Sequence, residues 1–202
     1  MATVKHLSDL DLTKRYTYAD YLLWQFSERV ELIKGFIRKM SPTPNRRHQE
    51  VSHRINRYLD NYFYNKPCGL YYAPFDVRLL DSKKSKENNK IYTVVQPDLC
   101  VVCDLEKLDD KGCIGAPDLV IEILSPGNSK REMGEKFSLY EENKIKEYWI
   151  VEPTEQNILI YTLQNEKYVG LKPCIEGEII TSPLFPELDF MIDNIFKNYD
   201  ER

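Results

Sequence analysis

The sequence predicts an α/β (α+β) fold, a mixed β-sheet flanked by helices with an N-terminal hairpin and further strands at the C-terminus. Two apolar runs rich in β-branched residues, 96–103 and 116–126, have the continuous pattern of strands that are buried on both faces. A helix is predicted over 130–142, and another apolar run at 148–151 follows it. This succession of strand, helix and strand is typical of a crossover unit in the middle of a sheet.

Length and composition favour one domain. The chain has 202 residues, of which 42% are hydrophobic, which is enough for a sizeable core. We expect residues 1–15 to be loosely ordered and residues 16–202 to form the domain. No apolar run has the length of a membrane span, and the N-terminus lacks the apolar region of a signal peptide. The simplest expectation is a soluble cytoplasmic protein with no membrane partner.

The elements outside the central unit follow from hydrophobic periodicity and turn residues. In order, the pattern predicts a capped helix that begins at Thr17, a hairpin over 30–33 and 36–40, a turn over 40–44, an amphipathic helix over 45–64, a strand over 71–80, an exposed loop over 81–90 and a return strand over 91–95. Beyond the central unit, 157–163 and 168–171 predict a meander of strands. The apolar tail over 183–196 is expected to pack on the sheet or on another subunit.

Glu122 is the residue that a purely structural interpretation explains least well. It falls in the middle of an apolar strand and shares one face with Val120 and Leu124 under the two-residue strand period. Burial of an unpaired carboxylate costs several kcal/mol. We therefore expect Glu122 to have a cation, a cage of hydrogen bonds or a raised pKa.

Lys136 is a candidate for that cation. At about 100° per residue it lies at the edge of the buried stripe of the helix over 130–142, rather than on the solvated face. From there it could reach back over the end of the preceding strand. The structural alternative is a salt bridge between Lys136 and Glu132 or Glu141.

Asp98 and Glu122 together have the chemistry of a metal site. Two carboxylates from neighbouring strands can hold Mg²⁺, which prefers oxygen ligands, and Mn²⁺ could take the same place. A nearby ammonium would stabilise charge on an attacked phosphate or orient the attacking water. This combination is typical of metal-assisted phosphodiester hydrolysis. Alternatively, Asp98 follows a proline at the start of a strand and could simply cap a turn.

At these residues the sequence resembles the PD-(D/E)xK nuclease superfamily and, within it, the Uma family of restriction endonucleases. The similarity extends from about Thr17 to Val169. The segments that carry it are Val30-Glu31-Leu32-Ile33-Lys34-Gly35, Met40-Ser41-Pro42 followed by His48-Gln49, Gln96-Pro97-Asp98, Pro117-Asp118-Leu119-Val120-Ile121-Glu122-Ile123-Leu124-Ser125-Pro126, Glu135-Lys136, and Glu147-Tyr148-Trp149-Ile150-Val151.

The resemblance implies a restriction-endonuclease-like fold and a Mg²⁺-dependent endonuclease whose partner is DNA. It makes Asp98 a metal ligand and gives Glu122 the acidic position of the (D/E)xK element. The usual lysine, two residues later, would fall at Leu124, so the resemblance points instead to Lys136 on the following helix. Glu31 corresponds to a recurrent acidic residue and would be a third carboxylate. From the residues alone, a solvent-facing strand residue is the simpler interpretation of Glu31, and only the resemblance gives the catalytic role equal weight.

Arg46, Arg47 and His48 are candidates for substrate binding. They fall in the first turn of the long helix, where backbone N–H groups already favour an anion. Basic side chains there oppose the helix dipole, which makes sense if a phosphate binds. The alternative is a solvated helix end with acidic partners nearby.

Net charge and cysteine content add limits. A net charge of −4 is not typical of a nucleic-acid-binding protein, although positive charge can be confined to a cleft. A second candidate is therefore a catalytically inactive nuclease-fold protein that binds nucleic acid or protein. Cleavage of both DNA strands could involve a homodimer. The odd number of cysteines, five, predicts buried thiols rather than disulfides, with Cys100 and Cys103 on opposite faces of a strand.

Overall fold

The computed structural model describes residues 3–40, 45–80, 86–125 and 130–197. These residues contain two six-stranded mixed sheets, one two-stranded sheet and four α-helices. In chain order the helices and strands are α1 Tyr18–Tyr21, β1 Val30–Ile33, β2 Phe36–Lys39, α2 Arg46–Phe63, β3 Gly69–Tyr72, β4 Val77–Leu79, β5 Thr93–Val95, β6 Leu99–Val102, β7 Leu108–Asp109, β8 Gly112–Ile114, β9 Leu119–Ile123, α3 Lys130–Glu142, β10 Glu147–Glu152, β11 Asn157–Gln164, β12 Lys167–Gly170, β13 Ile179–Thr181, β14 Asp189–Met191 and α4 Asp193–Phe196.

The central crossover unit forms as the sequence predicts. Strands β9 and β10 are parallel neighbours joined through α3, and Glu122 pairs with Ile150 in their register. The second sheet has the order β12-β11-β10-β9-β6-β3, so these two strands lie in its middle. Both faces of β9 are covered, because alternate residues enter two different hydrophobic clusters.

The predicted single sheet is divided into two in the structure. The first sheet has the order β2-β1-β5-β4-β8-β7 and contains the predicted N-terminal hairpin. Val77 and Val95 of this sheet share a buried cluster with Val120 and Ile150 of the second sheet. Strands that are apolar on both faces need a covering layer on each side. Here α2 covers one face of the second sheet, and the first sheet together with α3 covers the other.

The long helix α2 has the apolar stripe that its sequence predicts. Asn45 caps its N-terminus by accepting a hydrogen bond from the backbone N–H of His48 at 2.9 Å. Val51, Ile55 and Leu59 are buried against the second sheet. The opposite side of the helix is left to polar residues.

The strand predicted over 71–80 is wrong as a single element. Residues 69–72 and 77–79 belong to different sheets, β3 pairing with β6 and β4 with β5 and β8. The peptide bond between Ala73 and Pro74 is cis and lies between the two strands. Proline has no backbone N–H and cannot continue a sheet ladder, so the chain changes sheet at this point.

The prediction of free thiols is wrong for two of the five cysteines. Cys103 forms a disulfide with Cys68, 35 residues earlier. Cys100, Cys113 and Cys174 remain buried free cysteines, as predicted. Antiparallel pairing of β3 with β6 brings Gly69 opposite Val102, and the two cysteines flank this pair. An odd cysteine count cannot reveal such a pairing.

The described residues nearest to each terminus pack on the domain. Val4 pairs with Trp24, and Leu7 is buried in a cluster with Tyr18 and Leu32, within the segment for which the sequence suggests loose order. At the other end, α4 and β14 join the core beneath α2, which is one of the two placements expected for the apolar tail. Residues 41–44 of the expected turn and residues 81–85 of the expected loop lie outside the described residues.

In the described part of the chain, no helix combines the length and the hydropathy that a membrane crossing requires.

Candidate active site

Four charged side chains from four separate parts of the fold meet where the two sheets face each other. Glu31 comes from β1 of the first sheet, Glu122 from β9 of the second, and Lys136 from the middle of α3. Asp98 immediately precedes β6. These are the four residues that the sequence and its family resemblance predict for catalysis, and the tertiary structure brings them together.

Lys136 is the centre of this cluster. Its Nζ atom lies 2.8 Å from Oε1 of Glu122 and 3.1 Å from Oε1 of Glu31. The side chain is only 16% exposed, so both ion pairs are shielded from water. The two carboxylates satisfy the ammonium and fix its position. Its alternative partner, Glu141, pairs instead with Lys167 at 2.7 Å.

Glu122 has the raised pKa that its place in the strand predicts. Burial raises the pKa of its carboxyl to about 7, the negative charges of Asp98 and Glu31 add to the rise, and Lys136 opposes it. Tyr140 donates a hydrogen bond from its hydroxyl to Oε1 of Glu122 at 2.5 Å. Glu122 therefore has both a cation and a hydrogen-bond donor.

The pKa of Lys136 is raised, although burial lowers the pKa of a lysine. Burial alone lowers the pKa of its ammonium, but Glu122 and Glu31 outweigh that effect and raise it above the ordinary value. Lys136 is thus a fixed positive charge at neutral pH. It can stabilise an anion or orient a water molecule, and it is not suited to act as a general base.

Asp98 contacts both strand β9, which carries Glu122, and helix α2. Its Oδ2 atom accepts a hydrogen bond from the backbone N–H of Ile123 at 2.8 Å and lies 3.2 Å from Nε2 of His48. Leu99 pairs with Ile121 in the antiparallel register, and one further step along that register sets Asp98 opposite Glu122. Asp98 contacts another strand and a helix, which is more than capping its own turn would require.

Glu31 is buried, so the alternative of a solvent-facing strand residue does not hold. Its residue exposure is 4%. Besides the pair with Lys136, its Oε1 atom accepts a hydrogen bond from the backbone N–H of Gln96 at 2.8 Å. Ile33, on the same face of β1 as Glu31, packs in the cluster that contains residues of the second sheet and of α3. This face of the strand is therefore interior.

The three predicted substrate-binding residues are placed differently from one another. His48 is 5% exposed and contacts Asp98. Arg46 pairs with Glu50 at 3.2 Å while its side chain stays 76% exposed, which fits the alternative of a solvated helix end. Arg47 is exposed in the same turn.

Two contacts of the site were missed by sequence reasoning. Tyr140 lies four residues after Lys136 and therefore on the same face of α3, a spacing that could have indicated its role. Arg38 of β2 makes a two-pronged ion pair with Glu135, at 2.6 and 2.8 Å. This pair holds α3 against the first sheet next to Lys136. Nothing local in the sequence relates Arg38 to Glu135.

The carboxylate oxygens of the site are the kind of ligand that a hard divalent cation such as Mg²⁺ prefers, but the side chains that could bind it are few. Glu31, Asp98 and Glu122 contribute three carboxylates against the one ammonium of Lys136. Burial is the main cause of the raised pKa of Glu122, and the charges of Asp98 and Glu31 add to it. In the residues described, no three His, Cys, Asp or Glu side chains are grouped so that they could hold a metal ion. Asp98 and Glu122 would need backbone oxygen or water to complete the coordination, as Mg²⁺ commonly does.

Comparison with known proteins relates the chain to nucleases. Residues 18–193 match the model of a protein family described as “Uma2: Putative restriction endonuclease”. An uncharacterized protein of Synechocystis, slr1290, is 28% identical over 145 residues, which are 70% of this chain and 71% of that protein. A crystal structure from Anabaena variabilis, described as a “putative nuclease belonging to DUF820”, superimposes with a TM-score of 0.69. It is 18% identical and covers 90% of this chain and 97% of its own, which shows a common fold.

Proposed function

The chain belongs to the Uma2 family, described as “Putative restriction endonuclease”, and on this premise we propose that it is a metal-dependent endonuclease that hydrolyses phosphodiester bonds of DNA at a PD-(D/E)xK-like site. The observation that carries the proposal is the position of Lys136, whose ammonium bridges the carboxylates of Glu31 and Glu122 beside Asp98. A buried group of acids around one lysine is the chemistry that metal-assisted phosphoryl transfer uses.

Each side chain has a role that follows from its charge and contacts. Asp98 and Glu122 would hold Mg²⁺, with Mn²⁺ as a substitute, and Glu31 would support them as a third carboxylate. The ion, when bound, supplies Lewis-acid polarisation of the phosphate and lowers the pKa of a coordinated water. Lys136 stabilises the charge that builds on the scissile phosphate or orients the attacking water. His48 holds the Asp98 carboxylate in place from α2.

DNA as the substrate and a homodimer as the assembly are parts of the same proposal. One such site cuts one strand, so cleavage of both strands by this chain is most simply achieved by two copies. Arg47, exposed in the first turn of α2, is the candidate phosphate contact of the predicted basic group.

A second candidate function is binding of nucleic acid or protein by a nuclease fold that does not cleave phosphodiester bonds. The small number of side-chain ligands among the described residues favours it, as does Leu124 at the place of the usual lysine. Fold alone does not separate the two candidates, because activity depends on the site.

The deciding experiment is a cleavage assay with Mg²⁺ or Mn²⁺ on plasmid and single-stranded DNA, comparing the wild type with Glu122→Ala and Lys136→Ala purified identically. Metal-dependent cleavage that falls by a factor of about a hundred or more in both variants supports the roles assigned. Equal cleavage by all three proteins would expose a contaminating nuclease. A wild type that neither cuts nor binds Mn²⁺ would favour the binding protein.

A further inference from the structure

A polar cavity opens beside Asp98, which is one of its lining residues. It has a volume of about 390 Å³, within the range of small-ligand sites. Its lining residues include Arg29, His48, Ser52, Asn56, Tyr72 and Asp98. Because Asp98 belongs to the candidate active site, whatever occupies this cavity is a neighbour of the reacting group.

One wall of the cavity is the polar side of α2. Gln49, Ser52, His53 and Asn56 follow one another at intervals of three, one and three residues, so they share one face of the helix. The apolar stripe of the same helix faces the second sheet. The chain therefore presents a row of hydrogen-bonding side chains to the cavity.

Two buried polar atoms of that wall have no partner within the described part of the chain. They are Nδ1 of His48 and Oδ1 of Asn56. His48 is 5% exposed and its other ring nitrogen contacts Asp98. Unpaired polar atoms at buried positions are rare because each costs free energy, and here both side chains line the same cavity. A ligand with hydrogen-bonding edges would satisfy them.

Tyr72, from β3, adds a large exposed aromatic surface to the cavity lining. It is 64% exposed at the end of β3, while its neighbour Tyr71 stacks on Phe75. Arg29 adds an exposed guanidinium at the rim and donates a hydrogen bond to Gln96 at 3.0 Å. An open aromatic face, hydrogen-bonding groups and a cation are the three components with which proteins hold unstacked nucleotides.

We propose that this cavity, between Tyr72 and the polar face of α2, binds one unpaired nucleotide of the nucleic-acid strand, next to the phosphate that is cleaved at the candidate active site. The base of this nucleotide stacks on Tyr72, and the hydrogen-bonding edge of the base contacts Asn56 and His48. The phosphate of the nucleotide lies near Arg29. A base inside a duplex has both faces covered and does not fit a single-nucleotide cavity. The inference rests on the proposed function and names its substrate: single-stranded DNA, or a duplex with an unpaired nucleotide at the cleavage site.

The test measures binding in EDTA, so that it does not depend on hydrolysis. The probe is a DNA oligonucleotide with 2-aminopurine at one position, offered as a single strand, as a one-nucleotide bulge and as a fully paired duplex. Wild type is compared with Tyr72→Ala and with Tyr64→Ala, a matched control on a tyrosine that is 80% exposed and lies outside the cavity lining. Both positions are exposed, so both variants should fold, and melting temperatures check this.

We expect the wild type to bind the single strand and the bulge more tightly than the duplex. Tyr72→Ala should weaken binding of the two unpaired probes by about tenfold, the size expected for loss of one stacked base, and leave duplex binding as it was. Tyr64→Ala should change neither. A second variant, Asn56→Ala, should weaken the same two probes. Tyr72→Phe keeps the ring and should bind the unpaired probes far better than Tyr72→Ala.

Equal affinity of the wild type for all three probes would overturn the inference, as would equal losses in Tyr72→Ala and Tyr64→Ala. Failure of the proposed nuclease function can be distinguished from failure of the cavity assignment. If wild type cuts duplex plasmid and Tyr72→Ala cuts it equally well without any preference for unpaired sites, hydrolysis stands and the cavity assignment falls. If the Tyr72-dependent preference is present in EDTA and no substrate is cut with Mn²⁺, the cavity assignment stands and hydrolysis falls.

Discussion

Lys136 and Glu122 form a buried ion pair of 2.8 Å although they are 14 residues apart in the sequence and belong to a helix and a strand. The strand position two residues after Glu122 is taken by Leu124, which packs in the cluster between the sheets. The ammonium thus reaches the acid from the following helix instead of from the same strand.

The first prediction concerns the origin of the ammonium. Lys136→Leu should reduce metal-dependent cleavage by a factor of about a hundred. Adding Leu124→Lys should recover at least about tenfold of that loss, because residues 122 and 124 share one face of the strand and the new ammonium would lie next to Glu122. The measurement is the cleavage rate at saturating Mn²⁺.

Lys167→Leu is the matched control for this swap, since Lys167 is 78% exposed and pairs with Glu141 on the far side of α3. It should leave the rate within about twofold. A double variant that melts like the wild type and still shows no recovery would mean that only the helix position can supply the cation.

The second prediction concerns metal binding. Glu122→Gln keeps the shape of the side chain and removes its charge, so Mn²⁺ affinity measured by calorimetry should fall by at least about tenfold. Glu176→Gln, at an exposed position, should bind as the wild type does. Unchanged affinity in Glu122→Gln would remove Glu122 from the metal site.

The third prediction follows from the pKa of Glu122, which burial raises to about 7. Metal binding requires the ionised carboxylate, so Mn²⁺ affinity should fall as pH drops from 8 to 6, approaching about tenfold per pH unit below the pKa. Without metal, the folded protein keeps a proton on Glu122 that the unfolded chain releases above its ordinary pKa, about 4.5. The free energy of unfolding should therefore decrease as pH rises from about 4.5 to 7 through this group.

Glu122→Gln isolates the effect on stability. In EDTA the variant should lose this part of the pH dependence and gain, relative to wild type, on the order of 2 kcal/mol between pH 5 and pH 8. The measurement is urea unfolding at several pH values, with Glu176→Gln as the control. A pH profile of Glu122→Gln that runs parallel to that of the wild type would contradict the raised pKa.

The fourth prediction concerns the disulfide between Cys68 and Cys103. Under non-reducing, denaturing conditions a thiol titration should count the three free cysteines, Cys100, Cys113 and Cys174, and five after reduction. Closing a loop of 35 residues lowers the entropy of the unfolded chain, so Cys103→Ser should lower the free energy of unfolding by about 4 kcal/mol in the oxidised protein. Five thiols without reductant would contradict the pairing.

Several elements could be predicted from the sequence because their patterns are local. The apolar runs around Asp98 and Glu122 have the length and residue types of buried strands, and the spacing in α3 turns Lys136 toward the sheet. Glu122 was conspicuous because a carboxylate in an apolar strand needs a partner, and Lys136 was within reach. The hydrophobic periodicity of a strand or a helix is a property of residues close together in the sequence, so the sequence alone predicts these elements.

Contacts between layers were decided only by the tertiary structure. The burial of Glu31, the joining of Cys68 to Cys103 and the cavity beside Tyr72 depend on which strands pair and on which sheet covers which face. A strand pattern records that a face is apolar or polar, and not what will lie against it. Burial and pairing between distant residues arise when separate elements stack, and for this reason the burial of Glu31 and the cavity appear only in the folded chain.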